Sequence, residues 1–166
     1  MYTRIVVPLD GSDVAEQALD PAIEMARLMR LPVHLVRVLD AHPQDFASVY
    51  GSFVMPIDSG EFEVERDAAG QYLKETARML EQGGQVITHE LRYGQALAGI
   101  VETLRDGDLL VIASHGRSGM SRWFLGSVAE SVIRQSTVPV LLIRAAPVKA
   151  RRSEARPLVV TAPALA

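Results

Sequence analysis

The sequence contains no cysteine, which excludes disulfides, thiolate metal sites and cysteine nucleophiles. It also has no excess of positive charge, because 17 Lys and Arg residues stand against 20 Asp and Glu residues, for a net charge of −3. That balance gives no general electrostatic reason to expect binding to nucleic acid. The histidines His34, His42 and His89 are scattered without metal-ligand spacing, so no metal site is predicted.

Long apolar runs are missing as well. None approaches the roughly 18 residues that a membrane-spanning helix needs. The N-terminus enters a strand-like run at Ile5 and lacks the apolar segment of a signal peptide. We therefore expect a cytoplasmic protein without a membrane partner. With 166 residues, of which 48% are hydrophobic and 22% charged, the chain has the length and composition of one globular domain.

What the sequence does have is a regular alternation of apolar runs and helical patterns. The apolar runs, rich in Val, Ile and Leu, are typical of strands covered on both faces. The predicted strands are Ile5–Leu9, Val33–Leu39, Val86–Leu91, Leu109–Ala113 and Val138–Ile143. The predicted helices are Asp13–Arg30, with Pro21 as a kink or break, Phe62–Gln82, Gln95–Leu104 and Ser127–Gln135. This order predicts a single-domain, doubly wound α/β fold with a five-stranded parallel sheet.

Two segments fall outside this alternation. Residues 40–59 contain Pro43, Gly51 and Pro56 with little periodicity, and they favour a long mobile loop over a functional lid. The domain is expected to cover residues 1–145, and residues 146–166 are expected to form a basic, proline-containing, flexible tail. Docking of Leu158–Val160 as an extra edge strand is the alternative for that tail.

Residues 109–127 are the most informative stretch. An apolar strand ends at Ala113 and is followed by a turn of small residues up to Gly116. After nine intervening residues, Gly126 and Ser127 begin a helix. Glycine lets main-chain N–H groups approach phosphate oxygens, and a helix N-terminus adds partial positive charge. The stretch therefore predicts a phosphate and nucleotide site. It is not a Walker A loop, since Ser127 rather than Lys follows Gly126.

A purely structural interpretation of the same residues stays open. Gly116 and Gly119 would then serve a tight turn. Ser127 and Glu130, three residues apart, would form a capping box that needs no ligand.

The carboxyl ends of the first and fourth strands are the two most turn-like junctions in the chain. Ligands of doubly wound sheets bind beyond such ends, where the strand order reverses. Asp10, next to Gly11, is therefore a candidate ligand residue, although an acid after a strand is often an ordinary turn residue. Either Ser12 or Asp13 is expected to cap the first helix.

These motifs together resemble the universal stress protein family, specifically its nucleotide-binding branch. Pro-x-Asp-Gly-Ser at the end of the first strand is followed late in the chain by Ser-His-Gly-Arg-Ser-Gly, and Gly-Ser comes after nine residues that separate it from Gly116. The resemblance covers about Tyr2 to Arg144. It implies an adenine-nucleotide alpha hydrolase-like, Rossmann-like fold with strand order 3-2-1-4-5. It also implies ATP, with or without Mg, bound between the first and fourth strands, and a homodimer formed through Val138–Ile143.

The resemblance also implies roles for particular residues. Asp10 would lie near the ribose and adenine, main-chain groups at Val38 would contact the adenine edge, and residues around the two glycines would hold the phosphates. The full set of implied contacts is Pro8, Asp10, Val38, Ala113, Ser114, His115, Gly116, Arg117, Gly119, Gly126, Ser127 and Val128. Ala113 stands where ATP-binding members carry their first glycine, and its methyl group is compatible with close approach if φ is negative there.

The motifs favour binding over chemistry. His115 has no evident acidic partner and no nucleophile beside it, and no carboxylate cluster for Mg²⁺ is apparent. We therefore expect an ATP-binding, nucleotide-responsive regulatory protein with no catalytic residues and at most weak ATPase activity. The alternatives are a dimeric interaction protein of the same fold that binds no nucleotide, and a slow ATP hydrolase.

Overall fold

The structure is a computed structural model that describes residues 1–40, 48–50, 53–55, 60–114 and 126–146. Its strands, in chain order, are β1 (Arg4–Pro8), β2 (Val33–Leu39), β3 (Ser48–Tyr50), β4 (Phe53–Met55), β5 (Ile87–Tyr93), β6 (Asp108–Ser114) and β7 (Val140–Arg144). A 3₁₀ helix (Ala15–Ala18) precedes α1 (Leu19–Met29), and the later helices are α2 (Gly60–Glu81), α3 (Ala96–Thr103) and α4 (Ser127–Gln135).

Five strands form one parallel sheet in the order β5-β2-β1-β6-β7. Numbered only among themselves, these strands follow the order 3-2-1-4-5, so the predicted doubly wound fold is confirmed. Ile5 of β1 pairs with Val33 on one side and with Leu109 on the other. The chain thus winds outward in both directions from β1 and β6, and the order reverses between these two strands, which is where a doubly wound sheet leaves a crevice.

The sheet is buried on both faces, as its continuous apolar runs predict. Ile5 and Val7 pack in a core cluster with residues of α1 and α2, whereas Val6 packs in a second cluster with residues of α3 and α4. All three side chains have no exposed surface. Because both faces of β1 are closely packed, the end of this strand next to the crevice has a fixed position.

The first helical segment is divided near Pro21, as predicted. A 3₁₀ turn over Ala15–Ala18 gives way to α1 at Leu19, which places Pro21 in the first turn of the α-helix. A proline is tolerated there because the first N–H groups of a helix have no intrahelical acceptor. Ser12 Oγ accepts a hydrogen bond from the Ala15 N–H at 3.1 Å, so Ser12 caps this segment.

Within residues 40–59, where the sequence favours a long mobile loop, the structure has two short strands. Ser48–Tyr50 and Phe53–Met55 form a two-stranded antiparallel sheet, with Val49 opposite Val54. Strands of three residues are too short to produce a periodic signal, although their β-branched and aromatic residues favour extended structure. The expectations for residues 41–47 and 147–166 fall outside the described part of the chain. None of the described helices combines the length and apolar character that crossing a membrane requires.

Candidate functional site

A cavity of about 290 Å³ lies at the carboxyl ends of β1 and β6, where the strand order reverses. Its walls come from five parts of the chain: the end of β1 with the segment after it, β2, α3, β6 and the start of α4. The lining residues are Pro8, Leu9, Asp10, Ser12, Val14, Ala15, Val36, Val38, Ala96, Ile100, Ile112, Ala113, Gly126, Ser127, Val128 and Ala129.

The cavity brings together most of the described residues that the sequence predicted for the site. Those that line it are Pro8, Asp10, Val38, Ala113, Gly126, Ser127 and Val128. Ser114 is buried at the end of β6, next to Arg144 in the sheet, and is not among the lining residues. His115, Gly116, Arg117 and Gly119 lie outside the described residues.

Asp10 shapes the segment after β1. Its Oδ1 accepts a hydrogen bond from the Ser12 N–H at 2.9 Å, which is the turn role that the sequence left open. That bond engages one carboxylate oxygen of an exposed side chain. Asp10 is therefore both a turn residue and a carboxylate at the cavity wall.

Gly11 allows this turn for two reasons. Its φ is +84°, and a Cβ added there would lie 3.0 Å from Nη1 of Arg37. Arg37 in turn lies over the Tyr72 ring, 5.4 Å from its centroid, and the Tyr72 hydroxyl donates to Oε1 of Glu16 at 2.9 Å. Burial and the Glu16 carboxylate raise the pKa of Tyr72, so the hydroxyl stays protonated as a donor. Arg37, Tyr72 and Glu16 thus form a chain of contacts beside Gly11.

The backbone of Val38 faces the cavity. Pairing between β1 and β2 ends at Pro8 and Val36, where the Leu9 N–H donates to the Val36 oxygen at 2.8 Å. Alternate residues of a strand direct their backbone groups to the same side. Leu39 accepts from Gly94 on the β5 side, so Val38 presents its N–H and C=O on the β1 side, where β1 has turned away. One donor and one acceptor therefore stand side by side at this wall.

The N-terminus of α4 forms the opposite end of the cavity. Gly126 is the N-cap, and the first intrahelical bond runs from the Glu130 N–H to the Gly126 oxygen at 2.9 Å. The N–H groups of Ser127, Val128 and Ala129 precede that bond and have no intrahelical acceptor. Donors of this kind at a helix N-terminus are suited to an anion.

The capping box that the sequence allowed does not form. Ser127 lies one position inside the helix, and no side chain caps the N-terminus. Glu130 pairs with Arg134 at 2.9 Å instead of reaching back. The structural alternative for Ser127 and Glu130 is therefore wrong.

The backbone of Ala113 has the negative φ at which its methyl group is compatible with close approach of a ligand. It lies within β6 and pairs with Ile143 of β7. Among the described residues, Arg30 is the one non-glycine with positive φ, so φ of Ala113 is negative. The methyl group costs no backbone strain where the family pattern has glycine.

The two ends of the cavity differ in character. On the β2 side of β1 the lining is apolar and comes from Val36, Val38, Ala96 and Ile100, whereas the β6 side holds the α4 N-terminus. Among the described lining residues, Asp10 is the one with an ionisable side chain. The described residues contain no group of three or more His, Asp or Glu side chains placed to hold a metal ion.

Sequence reasoning missed the apolar walls. Val36 precedes Val38 on the same face of β2, and Ala96 and Ile100 are one helical turn apart on α3. The same spacings are typical of ordinary core residues, so only the fold distinguishes the two roles.

Comparison with known proteins identifies the family. The universal stress protein family matches residues 1–144 of the chain, and the chain belongs to that family. Universal stress protein MJ0531 of Methanocaldococcus jannaschii is 33% identical over 146 residues, which cover 87% of this chain and 83% of that protein. The family resemblance inferred from the sequence motifs is confirmed.

Solved structures share the fold. The structure of MJ0577, also from Methanocaldococcus jannaschii, aligns with a TM-score of 0.69 at 26% identity and covers 89% of this chain and 99% of its own. A universal stress protein from Archaeoglobus fulgidus, solved in complex with dAMP, aligns with a TM-score of 0.59 at 26% identity, covering 86% of this chain and 98% of its own.

Proposed function

We propose that this universal stress protein binds ATP in the cavity between β1 and β6 and acts as a nucleotide-responsive regulatory protein. The observation that carries the proposal is the pairing of two complementary ends in one cavity. An apolar end with the Val38 backbone suits a planar base, and the N-terminus of α4 suits phosphates. The dAMP complex of the Archaeoglobus fulgidus relative supports an adenine nucleotide as the ligand class.

The Val38 backbone favours adenine over guanine. A backbone N–H can donate to N1 of adenine while the adjacent C=O accepts from its 6-amino group. Guanine presents the opposite pattern, with an N–H at position 1 and an oxygen at position 6. Two mismatched groups in an apolar wall leave buried polar atoms unpaired, at a cost of about 1–3 kcal/mol each.

The phosphates would lie at the start of α4. The N–H groups of Ser127 and Val128, which have no intrahelical acceptor, would donate to phosphate oxygens, and Gly126 would allow close approach of the chain. His115, Gly116, Arg117 and Gly119 are proposed to complete this end. Asp10 would contact the ribose through its carboxylate, and any Mg²⁺ would be held mainly by the phosphates, because Asp10 is the one described carboxylate at the cavity.

A binding role is favoured over catalysis. The described lining residues include no histidine and no second carboxylate that could hold a metal or orient a water. The nucleotide would therefore act as a switch or a stabilising ligand. A slow hydrolase and a member of the family that binds no nucleotide remain the alternatives to be tested.

We also propose a homodimer formed through β7. Within the described part of the chain, the outer strands β5 and β7 each pair on one side only, but their side chains differ. β5 carries His89, Glu90 and Arg92, which discourage edge pairing, whereas β7 reads Val-Leu-Leu-Ile-Arg. Antiparallel pairing of two β7 edges about a two-fold axis would give a closed dimer.

Nucleotide content and titration calorimetry test the binding proposal. Acid extraction of the purified protein should release an adenine nucleotide, and the stripped protein should bind ATP. Affinity for GTP should be at least about tenfold lower, a difference of ~1.4 kcal/mol. Absence of ATP binding by the stripped, folded protein would favour the interaction protein that binds no nucleotide, and equal affinity for GTP would refute recognition through the Val38 backbone.

A further inference from the structure

Helix α3 crosses β2 at Gly99 with no room for a side chain. A Cβ built at Gly99 would lie 2.8 Å from both Cγ1 and Cγ2 of Val38. Rotating the valine about χ1 by 120° removes one of these two contacts but leaves a methyl group at the position of the other. Since the interior is closely packed, a methyl group at Gly99 must move either Val38 or the helix.

The helix is held from its other end. Arg4 of β1 donates to the Thr103 oxygen at 3.0 Å and pairs with the buried Asp108 of β6 at 2.6 Å. Thr103 Oγ1 in turn donates to the Gly99 oxygen at 2.8 Å. This network ties the carboxyl-terminal half of α3 to two central strands, so displacement of Val38 is the easier response.

Val38 and α3 form adjoining walls of the same cavity and meet at Gly99. Val38 lines it from β2, and Ala96 and Ile100 line it from the helix. We infer that Gly99 is a positioning residue that fixes the distance between these walls and so sets the shape of the apolar end. The inference rests on the proposed function for the identity of the ligand, an adenine base.

A displaced Val38 would affect the base and not the phosphates. Its backbone supplies the proposed donor and acceptor, and hydrogen bonds weaken once donor and acceptor separate beyond about 3.2 Å or lose alignment. The α4 N-terminus is built from a different part of the chain. A methyl group at Gly99 should therefore lower the affinity of the protein for ATP, ADP and AMP by the same factor.

The binding test compares Gly99→Ala with Gly70→Ala. Gly70 lies inside α2, and a Cβ there would meet nothing within 4 Å, so it is a matched helical control. By calorimetry, the affinity of Gly99→Ala for all three nucleotides should be about tenfold lower than that of the parent protein, whereas Gly70→Ala should bind them as the parent does. The double variant Val38→Ala/Gly99→Ala should bind as tightly as Val38→Ala alone, because the clashing methyl groups are gone. Unchanged affinity in Gly99→Ala, or an equal loss in Gly70→Ala, would overturn the inference.

A second measurement does not depend on nucleotide. Urea unfolding of the parent, Gly99→Ala, Val38→Ala and the double variant forms a double-mutant cycle. Gly99→Ala should destabilise the protein when residue 38 is valine and should not do so when residue 38 is alanine. Additive effects would refute the positioning role. A parent protein that binds no nucleotide but shows this coupling would refute the proposed function and leave the Gly99 contact established.

Discussion

Gly126→Val tests the phosphate end of the cavity. Gly126 has φ −56° and ψ 145°, a conformation that valine also adopts, so the substitution introduces no backbone strain. Its effect comes from the branched side chain at the cavity wall, which would keep phosphates from the Ser127 and Val128 N–H groups. Charge-assisted hydrogen bonds are worth about 1.5–3 kcal/mol each, so losing two should weaken ATP binding by about 100-fold or more.

Gly60→Val is the matched control for this prediction. Gly60 also lies at the start of a helix, α2, and a Cβ there would meet nothing within 4 Å. Calorimetric titration with ATP should show the loss for Gly126→Val and parent-like binding for Gly60→Val. The free energy of unfolding of both variants should lie within about 1 kcal/mol of the parent value, since a glycine at the start of a helix contributes only a few tenths to 1 kcal/mol to stability. Tight ATP binding by a folded Gly126→Val protein would refute the phosphate assignment.

Three further predictions follow from the same structure. ATP hydrolysis should stay well below the turnover of about 1 per second typical of ATP-using enzymes; faster Mg²⁺-dependent turnover that His115→Ala abolishes would establish an enzyme. If the parent forms the proposed dimer, Leu142→Asp should give a folded monomer by light scattering, because Leu142 is 37% exposed on β7. Leu141→Asp should also lower the free energy of unfolding, since Leu141 is partly buried against the core. A monomeric parent protein at micromolar concentration would refute the proposed dimer. Burial lowers the pKa of His34 in the folded protein below its ordinary 6.5. As the pH drops below about 6.5, the unfolded chain therefore binds a proton before the folded protein does, and the free energy of unfolding should fall. A His34→Gln variant with the same pH dependence of stability would contradict this.

The fold could be predicted because its signals are local and repeated. The runs around Ile5, Val33 and Leu109 are continuous, and only strands covered on both faces tolerate so little polarity. Strand ends were less accurate: the last strand was predicted from Val138 and begins at Val140. Val138 is buried but lies two residues ahead of the strand. An apolar run in the sequence indicates which residues are buried, not which are hydrogen-bonded in a sheet.

Site residues could be predicted where a glycine in the sequence marks a turn or a helix start. Gly126 and Asp10 are marked by glycine-containing junctions, and both line the cavity. The capping box does not form because the helix begins at Ser127, one residue earlier than the motif assumes, so that Gly126 and not Ser127 is the N-cap. The contact between Gly99 and Val38 could not be predicted, since it joins residues far apart in the chain and depends on how closely α3 crosses β2.

An amide NMR titration with ATP tests nucleotide binding in the β1–β6 crevice most directly. If ATP binds there, the N–H resonances of Val38, at the base end, and of Ser127 and Val128, at the start of α4, should shift together and saturate at one nucleotide per chain. Saturable shifts confined to residues away from the β1–β6 crevice, or no shifts at all, would contradict it.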